Sequence, residues 1–354
     1  MSHRWRTVGL VAGVAGALVA GTAIGAVTRG RRRRRRATEP ALGDLAPDRE
    51  HTVLADDGVE LAVAEVDPAD GGRPDLTVVL VHGFVVDRRM WHFQRVGLPE
   101  LTDPRVRVVL YDQRSHGRSG RSSRHASTIE QLGRDLDAVV RATAPCGQVV
   151  LVGHSMGAMT IMALAEQRPE LFERRVAGVA LLCTSAGDLA SMRLARPFLA
   201  RRSPLAYVGT AAATRRPGLL EWGRRLGADA SLPLIRTVAF GDARPATELL
   251  ELMNRMIAGT RVDVMTDFLR TFGEHDRFRA LAGLRHCEVL VVGGDTDRVT
   301  PYRHTEALAA ELPDAELVRI PGAGHMAPLE SAELVNEHLT GLLRRCHERT
   351  EGAG

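Results

Sequence analysis

From about residue 51 onward, short runs of β-branched and aliphatic residues alternate with longer stretches of helical periodicity. Five of the runs are almost wholly apolar: Leu76–Val81 (LTVVLV), Val106–Tyr111 (VRVVLY), 149–152 (VVLV), 176–183 (VAGVALLC) and 289–292 (VLVV). A strand with one face in water would alternate apolar and polar residues. These runs do not, so they predict parallel strands covered on both faces. Between them, residues 128–143, 156–167, 305–312 and 332–345 carry helical patterning, and Pro169 and Pro313 follow two of them. Alternation of this kind predicts an α/β architecture, an open, doubly wound and mostly parallel sheet. Residues 51–55 and 59–66, around the turn Asp56-Asp57-Gly58, predict an antiparallel edge hairpin.

The alternation fails between 187 and 285. That interval is rich in Arg and Ala, contains five prolines and shows helical periodicity at 248–257. It is expected to be a helical insertion, a cap between two sheet strands. The resulting division is an N-terminal segment 1–36, a linker 37–50, a core of 51–186 with 286–346, the cap 187–285 and a tail 347–354.

Charge changes the picture at the N-terminus only. All 47 basic residues are arginine, and nine lie in the first 36 residues, which hold no acid. The rest of the chain has 38 arginines against 43 acids, so the folded body is mildly acidic and the net +4 belongs to the N-terminus. Residues 7–28 form a run of 22 without a charge, with eleven Gly or Ala and eight Val, Leu or Ile. As a helix it would reach about 33 Å, enough to cross a hydrocarbon core of about 30 Å. Seven arginines between Arg29 and Arg36, against two before the run, oppose passage of the downstream chain. The expectation is an N-terminal transmembrane helix, an uncleaved single-pass anchor with the large downstream domain cytoplasmic, its Arg run on anionic headgroups. A cleaved signal peptide with an exported domain is the alternative. Nucleic-acid binding is not expected, because no nucleic-acid fold or aromatic platform accompanies the arginines. Cys146, Cys183, Cys287 and Cys346 form no CxxC pair, so free thiols are expected, with no metal and no disulfide framework.

Candidate chemistry begins at Gly153-His154-Ser155-Met156-Gly157, between the run VVLV and the helix 156–167. A serine on such a strand-to-helix turn presents its hydroxyl, and the flanking glycines keep other side chains clear. The bland alternative is a capping serine in a Gly-rich turn. A hydroxyl nucleophile needs a base, and the base needs an orienting carboxylate. His325, in Pro321-Gly322-Ala323-Gly324-His325 after the strand-like ELVRI, is the candidate base. Asp297, after VLVVGG, is the candidate acid, with Asp295 as the fallback. His82-Gly83-Phe84 follows LTVVLV, and the backbone N–H groups of Phe84 and Met156 are the candidate oxyanion donors. His82 and His154 are expected to support the motif by hydrogen bonding.

With HG, G-x-S-x-G, Asp and His in this order, the chain resembles the α/β-hydrolase superfamily over about residues 51–345, among its capped bacterial serine hydrolases. The resemblance implies the α/β-hydrolase fold, no cofactor, and Ser155, His325 and Asp297 as a triad; Gly294 to Pro301 fits the family's G-x-x-D-x-x-x-P. Asp112 to Ser119 resembles D-x-R-G-x-G-x-S, with Ser115 where the first glycine is usual. Serine rather than aspartate at the elbow argues against epoxide hydrolases and haloalkane dehalogenases. A carboxylic ester hydrolase acting on a small acyl substrate is expected. Perhydrolase, thioesterase or acyltransferase, C–C hydrolase, and a non-catalytic ligand-binding member of the fold remain as alternatives. Apolar cap residues (among them Met253, Met256, Ile257 and Phe268) suit either a hydrophobic acyl pocket or the core of the cap itself.

Overall fold

The computed structural model describes residues 41–189, 232–241 and 245–352. Its centre is an eight-stranded sheet in the order β1-β2-β4-β3-β5-β6-β7-β8. These are Arg49–Leu54, Glu60–Val66, Leu76–Val81, Val106–Tyr111, Gln148–His154, Val176–Leu182, Glu288–Gly294 and Glu316–Ile320, numbered in chain order. Strands β3 to β8 run parallel, whereas β2 lies antiparallel to both β1 and β4. The expected edge hairpin is therefore present, and it adds β2 directly to the parallel set, with Val63 opposite Tyr111.

The fully apolar strands feed two separate cores. On β3, Val79 and Val81 enter one cluster while Val78 and Leu80 enter the other; on β7, Val289 and Val291 part from Leu290 and Val292 in the same way. Successive side chains leave opposite faces of a strand, so a strand without polar positions must be covered twice. Helices Ile129–Thr143 and Met156–Gln167 supply one layer, and the C-terminal helix Ala332–Gly352 contributes to the other. Thr128 starts the first of these by accepting from the Gln131 N–H at 3.2 Å, an N-cap. The last helix runs beyond the expected 345 and takes in most of the stretch read as a tail. Cys346 is fully buried against Gly178, where a Cβ would lie 2.4 Å from its Sγ. Arg345 pairs with Glu316 at 2.8 Å, so the extra turns are held to the sheet edge.

Residues 41–48, inside the expected linker, form a strap rather than a free connection. The Leu42 carbonyl accepts from Arg255 at 2.6 Å, the Leu45 carbonyl from Arg95 at 2.8 Å, and the Gly43 N–H donates to His92 at 3.2 Å. In the insertion, the described helices are Leu232–Ala239, Thr247–Gly259 and Val262–Gly273. The short helix Leu281–Leu284, which the sequence places in the insertion, packs instead in the sheet core with Phe172 and Ala165. Among the described residues no helix is long and apolar enough to cross a membrane; the apolar run 7–28 and the Arg run lie outside them.

The departure at Ser115 leaves the turn standing. Ser115 adopts φ 65°, the left-handed conformation a glycine supplies more easily. Its N–H donates to the Gly120 carbonyl at 2.9 Å and its hydroxyl accepts from the Ser122 N–H at 2.9 Å. Next to it, Arg114 is fully buried and forks onto Asp135, with both contacts at 2.6 Å, and onto Asp57 at 2.7 Å. This joins the loop after β4 to a flanking helix and to the hairpin turn.

Candidate active site

The parallel strands end on one edge of the sheet, and the loops that leave them there carry the chemistry-bearing residues. Ser155 follows β5 at φ 52° and ψ −118°. A non-glycine residue with positive φ is strained, and here the surroundings hold it. The Ser155 N–H donates to the Leu182 carbonyl at 2.9 Å, and the Thr184 hydroxyl donates to the Ser155 carbonyl at 2.9 Å. A Cβ on Gly157 would lie 2.1 Å from the Val81 carbonyl oxygen, and one on Gly153 would lie 2.5 Å from the Ala158 nitrogen. Both contacts are with backbone, so only glycine lets the turn fit between β3 and the helix Met156–Gln167.

The Ser155 hydroxyl lies 3.0 Å from Nε2 of His325, and Nδ1 of His325 lies 2.9 Å from Oδ2 of Asp297. Asp297 also receives the N–H groups of Val299 (2.7 Å) and Thr300 (2.9 Å) on Oδ1 and the Thr300 hydroxyl (2.9 Å) on Oδ2. Burial on its own would raise this carboxyl. The neighbouring imidazole and the hydrogen bonds from His325 and Thr300 outweigh burial and hold it below the ordinary carboxylate range. Asp297 can thus stay ionised while it fixes the ring, so that Nδ1 carries the proton and Nε2 is free to take one from the serine. Asp295, two residues earlier, accepts instead from the Gly322 N–H at 2.7 Å and supports the loop that carries His325.

His82 and His154 hold the frame. His82 donates through Nδ1 to the Gly83 carbonyl (2.7 Å) and accepts at Nε2 from the Gln113 N–H (2.8 Å). Gln113 in turn donates to the His82 carbonyl (2.6 Å) and accepts from the Thr160 hydroxyl (2.9 Å). Burial pushes His82 down to about 4, which keeps it neutral and in this single tautomer. Because His82 takes the Gly83 carbonyl, the N–H of Phe84 points away from His82 across the same trans peptide. A Cβ on Gly83 would lie 2.7 Å from Nδ1 of His154 and 3.4 Å from Cβ of Ser155, so the loop sits directly beside the serine. His154 is likewise buried, pushed down to about 3 by burial and by His325, and donates from Nε2 to the His325 carbonyl at 2.8 Å. Phe84 packs edge-on against Phe272, with centroids 5.1 Å apart, and near Phe268 at 6.2 Å. Met156, Met159, Phe268 and Leu189 form an apolar cluster next to them. Met253 and Met256 are buried on the sheet side, in the same core as β3, and Ile257 packs against that core.

Thr300, Thr184, Gln113 and Glu330 were not singled out from the sequence. Only Thr300 had a local signal: a Thr three residues after an Asp can close a turn onto the carboxylate. Thr184 and Gln113 act across more than twenty residues of chain, and Glu330 joins the nearby Gly324 N–H to that of Gly241, 89 residues away. Among the described residues no group of three or more His, Cys, Asp or Glu is placed to hold a metal ion. The four cysteines are free thiols, three buried and Cys146 exposed.

The alpha/beta hydrolase family model matches residues 78–338. An uncharacterised hydrolase of Bacillus subtilis is 26% identical over 76% of this chain and 90% of its own length. An sn-1-specific diacylglycerol lipase of Mus musculus is 25% identical over 77% of this chain and 83% of its own. Among solved structures, a thermophilic esterase from Thermogutta terrifontis superposes with a TM-score of 0.64 at 26% identity, covering 84% of this chain and 99% of that one. The matched span contains the elbow, the HG loop, Asp297 and His325, and by that match the chain belongs to the alpha/beta hydrolase family.

Proposed function

We propose that this protein is a serine hydrolase that cleaves a carboxylic ester or a related acyl bond through a Ser155–His325–Asp297 triad. The observation that carries this reading is the unbroken chain of contacts from Asp297 through His325 to Ser155, at 2.9 and 3.0 Å, on a strained elbow. In the proposed sequence Ser155 Oγ attacks the acyl carbon and its proton passes to Nε2 of His325. The carbonyl oxygen becomes an oxyanion received by the N–H groups of Phe84 and Met156, each worth about 3 kcal/mol to the transition state. Collapse expels the alcohol, which takes the proton from His325 and leaves an acyl-serine. Water then adds with His325 as base, and the acid departs. The aromatic and methionine cluster beside Phe84 suits an apolar acyl group, and the names of the mouse lipase and the Thermogutta esterase point to ester substrates.

The test is a series of p-nitrophenyl esters from acetate to palmitate, with a matched thioester and amide, on the detergent-solubilised full chain. Turnover of esters with an initial burst from the acyl-enzyme is expected, and the amide should be the slowest. No turnover of any ester would sink the reading.

Residues 7–28 and the arginines that follow are proposed to tether the enzyme to a membrane with its catalytic domain cytoplasmic. Supporting this is the length and charge pattern of the segment. The full chain should sediment with membranes and a chain lacking residues 1–36 should not; a truncated chain that still sediments would refute the tether.

A further inference from the structure

His325 stands on a loop, not on a regular element, and its imidazole must be held to a few tenths of an ångström over Ser155. Three backbone groups around it define where the loop lies. The His325 carbonyl accepts from His154, which belongs to the elbow strand, at 2.8 Å. The Met326 N–H donates to the Ala239 carbonyl at 3.0 Å, and Ala239 belongs to the insertion. The Gly324 N–H donates to Oε1 of Glu330 at 3.0 Å, and the other oxygen of that carboxylate, Oε2, accepts from the Gly241 N–H at 2.6 Å, again in the insertion.

The close fit around this contact leaves no slack. A Cβ on Gly241 would lie 2.0 Å from the Gly322 carbonyl oxygen, 2.6 Å from the Thr296 hydroxyl and 2.7 Å from the Gly324 nitrogen. A Cβ on Gly324 would lie 2.5 Å from the Gly241 nitrogen. Phe240, between the two contacts, is fully buried in the same cluster as Ala323 and Met326.

On this geometry, and resting on the serine-hydrolase reading above, we propose that Glu330 is a positioning residue. Its carboxylate clamps the His325 loop to the 239–241 segment of the insertion, so the imidazole is aligned on Ser155 only while that segment is seated. Two N–H donors converge on two oxygens of one side chain, and only a carboxylate meets both. The amide of a glutamine offers one acceptor and turns an NH2 towards the other donor. Burial holds the Glu330 carboxyl above the ordinary carboxylate range, and the N–H groups of Gly241 and Gly324 offset part of that rise.

The experiment compares the full chain with Glu330→Gln, with Gly241→Ala, which drives the segment off the loop while keeping the carboxylate, and with the double variant. A fluorophosphonate probe gives kinact, which needs the aligned imidazole, separately from KI, which reads entry and binding. Thermal melts confirm that each variant is folded. Each single variant is expected to lose about 10- to 100-fold in kinact with KI within about 3-fold of wild type, the scale of a misplacement near 1 Å. Because both changes break one clamp, the double variant should fall no more than about 3-fold below the worse single. Loss confined to KI, kinact within 3-fold of wild type, or single effects that multiply in the double variant would each overturn the proposal. If Glu330→Gln does not fold, the kinact and KI of Gly241→Ala decide it. A wild type that does not react at all would overturn the hydrolase reading itself, an outcome distinct from a reactive wild type with unaffected variants.

Discussion

Replacing Ser155 by alanine is expected to lower kcat/KM for an ester by about 10⁴- to 10⁶-fold and to abolish labelling by a fluorophosphonate. The change removes one oxygen, which lies 3.0 Å from Nε2 of His325. The turn itself is held by the backbone of Ser155, which bonds to Leu182 and Thr184, and by the glycines at 153 and 157. Alanine keeps all of these, so the unfolding free energy should change by no more than a surface substitution would change it, roughly 0.5 kcal/mol or less. That separation of effects is the point of the measurement. Labelling or ester turnover that persists at the wild-type level in folded Ser155→Ala would show that the nucleophile is elsewhere. A small residual rate above the uncatalysed one is compatible with the proposal, because the Phe84 and Met156 N–H groups remain to receive the oxyanion.

Replacing Asp297 by asparagine is expected to cost about 10⁴-fold in kcat, while Asp295→Asn should stay within about 5-fold of wild type. The reason lies in how the four contacts of Asp297 divide. Oδ1 takes the N–H groups of Val299 and Thr300, and Oδ2 takes Nδ1 of His325 and the Thr300 hydroxyl. An asparagine that keeps its oxygen on the two backbone donors must turn its NH2 towards His325. The ring then accepts at Nδ1, carries its proton on Nε2, and cannot take the one from Ser155. Asp295 uses a single oxygen on the Gly322 N–H, which an amide oxygen can replace. Should Asp295→Asn prove the more damaging change, the orienting acid would have to be reassigned to Asp295. Thr300→Val is a useful companion measurement, since it removes the hydroxyl that shares Oδ2 with the imidazole and leaves the carboxylate charge in place.

Much of the scaffold was legible in the sequence because its signals are local. Strands such as LTVVLV and VRVVLY have no polar positions, and that alone requires cover on both faces; both fall at the residues expected, Leu76–Val81 and Val106–Tyr111. The elbow was legible for a different reason. Gly153 and Gly157 stand where a single Cβ would strike backbone at 2.5 and 2.1 Å, so the motif records a steric requirement as well as a chemical one. Where the reading fell short, the cause was a contact made far along the chain. Residues 41–48 have no periodicity, yet Arg255, more than two hundred residues later, holds the Leu42 carbonyl. The C-terminal helix continues to Gly352 because Cys346 has a site to fill on the sheet. The hairpin of β1 and β2 was predicted, but nothing in either strand states that β2 would lie against β4.

The sequence by itself determined the strands, the sharp turn at Ser155 and the order HG, Ser, Asp, His, because apolar runs and glycines report the burial and backbone conformation of their own residues. Which carboxylate faces the imidazole was not determined in that way. Asp295 and Asp297 lie on one loop, two residues apart, and both follow the same strand. The tertiary structure brings Asp297 to 2.9 Å from His325 and turns Asp295 to the Gly322 N–H. It also brings His154 and Ala239 to the His325 loop from two distant parts of the chain, and turns Glu330, five residues after His325, back onto the Gly324 N–H. The direction of a side chain leaving an irregular loop is set by what packs against that loop, and here those partners lie mostly in other parts of the sequence.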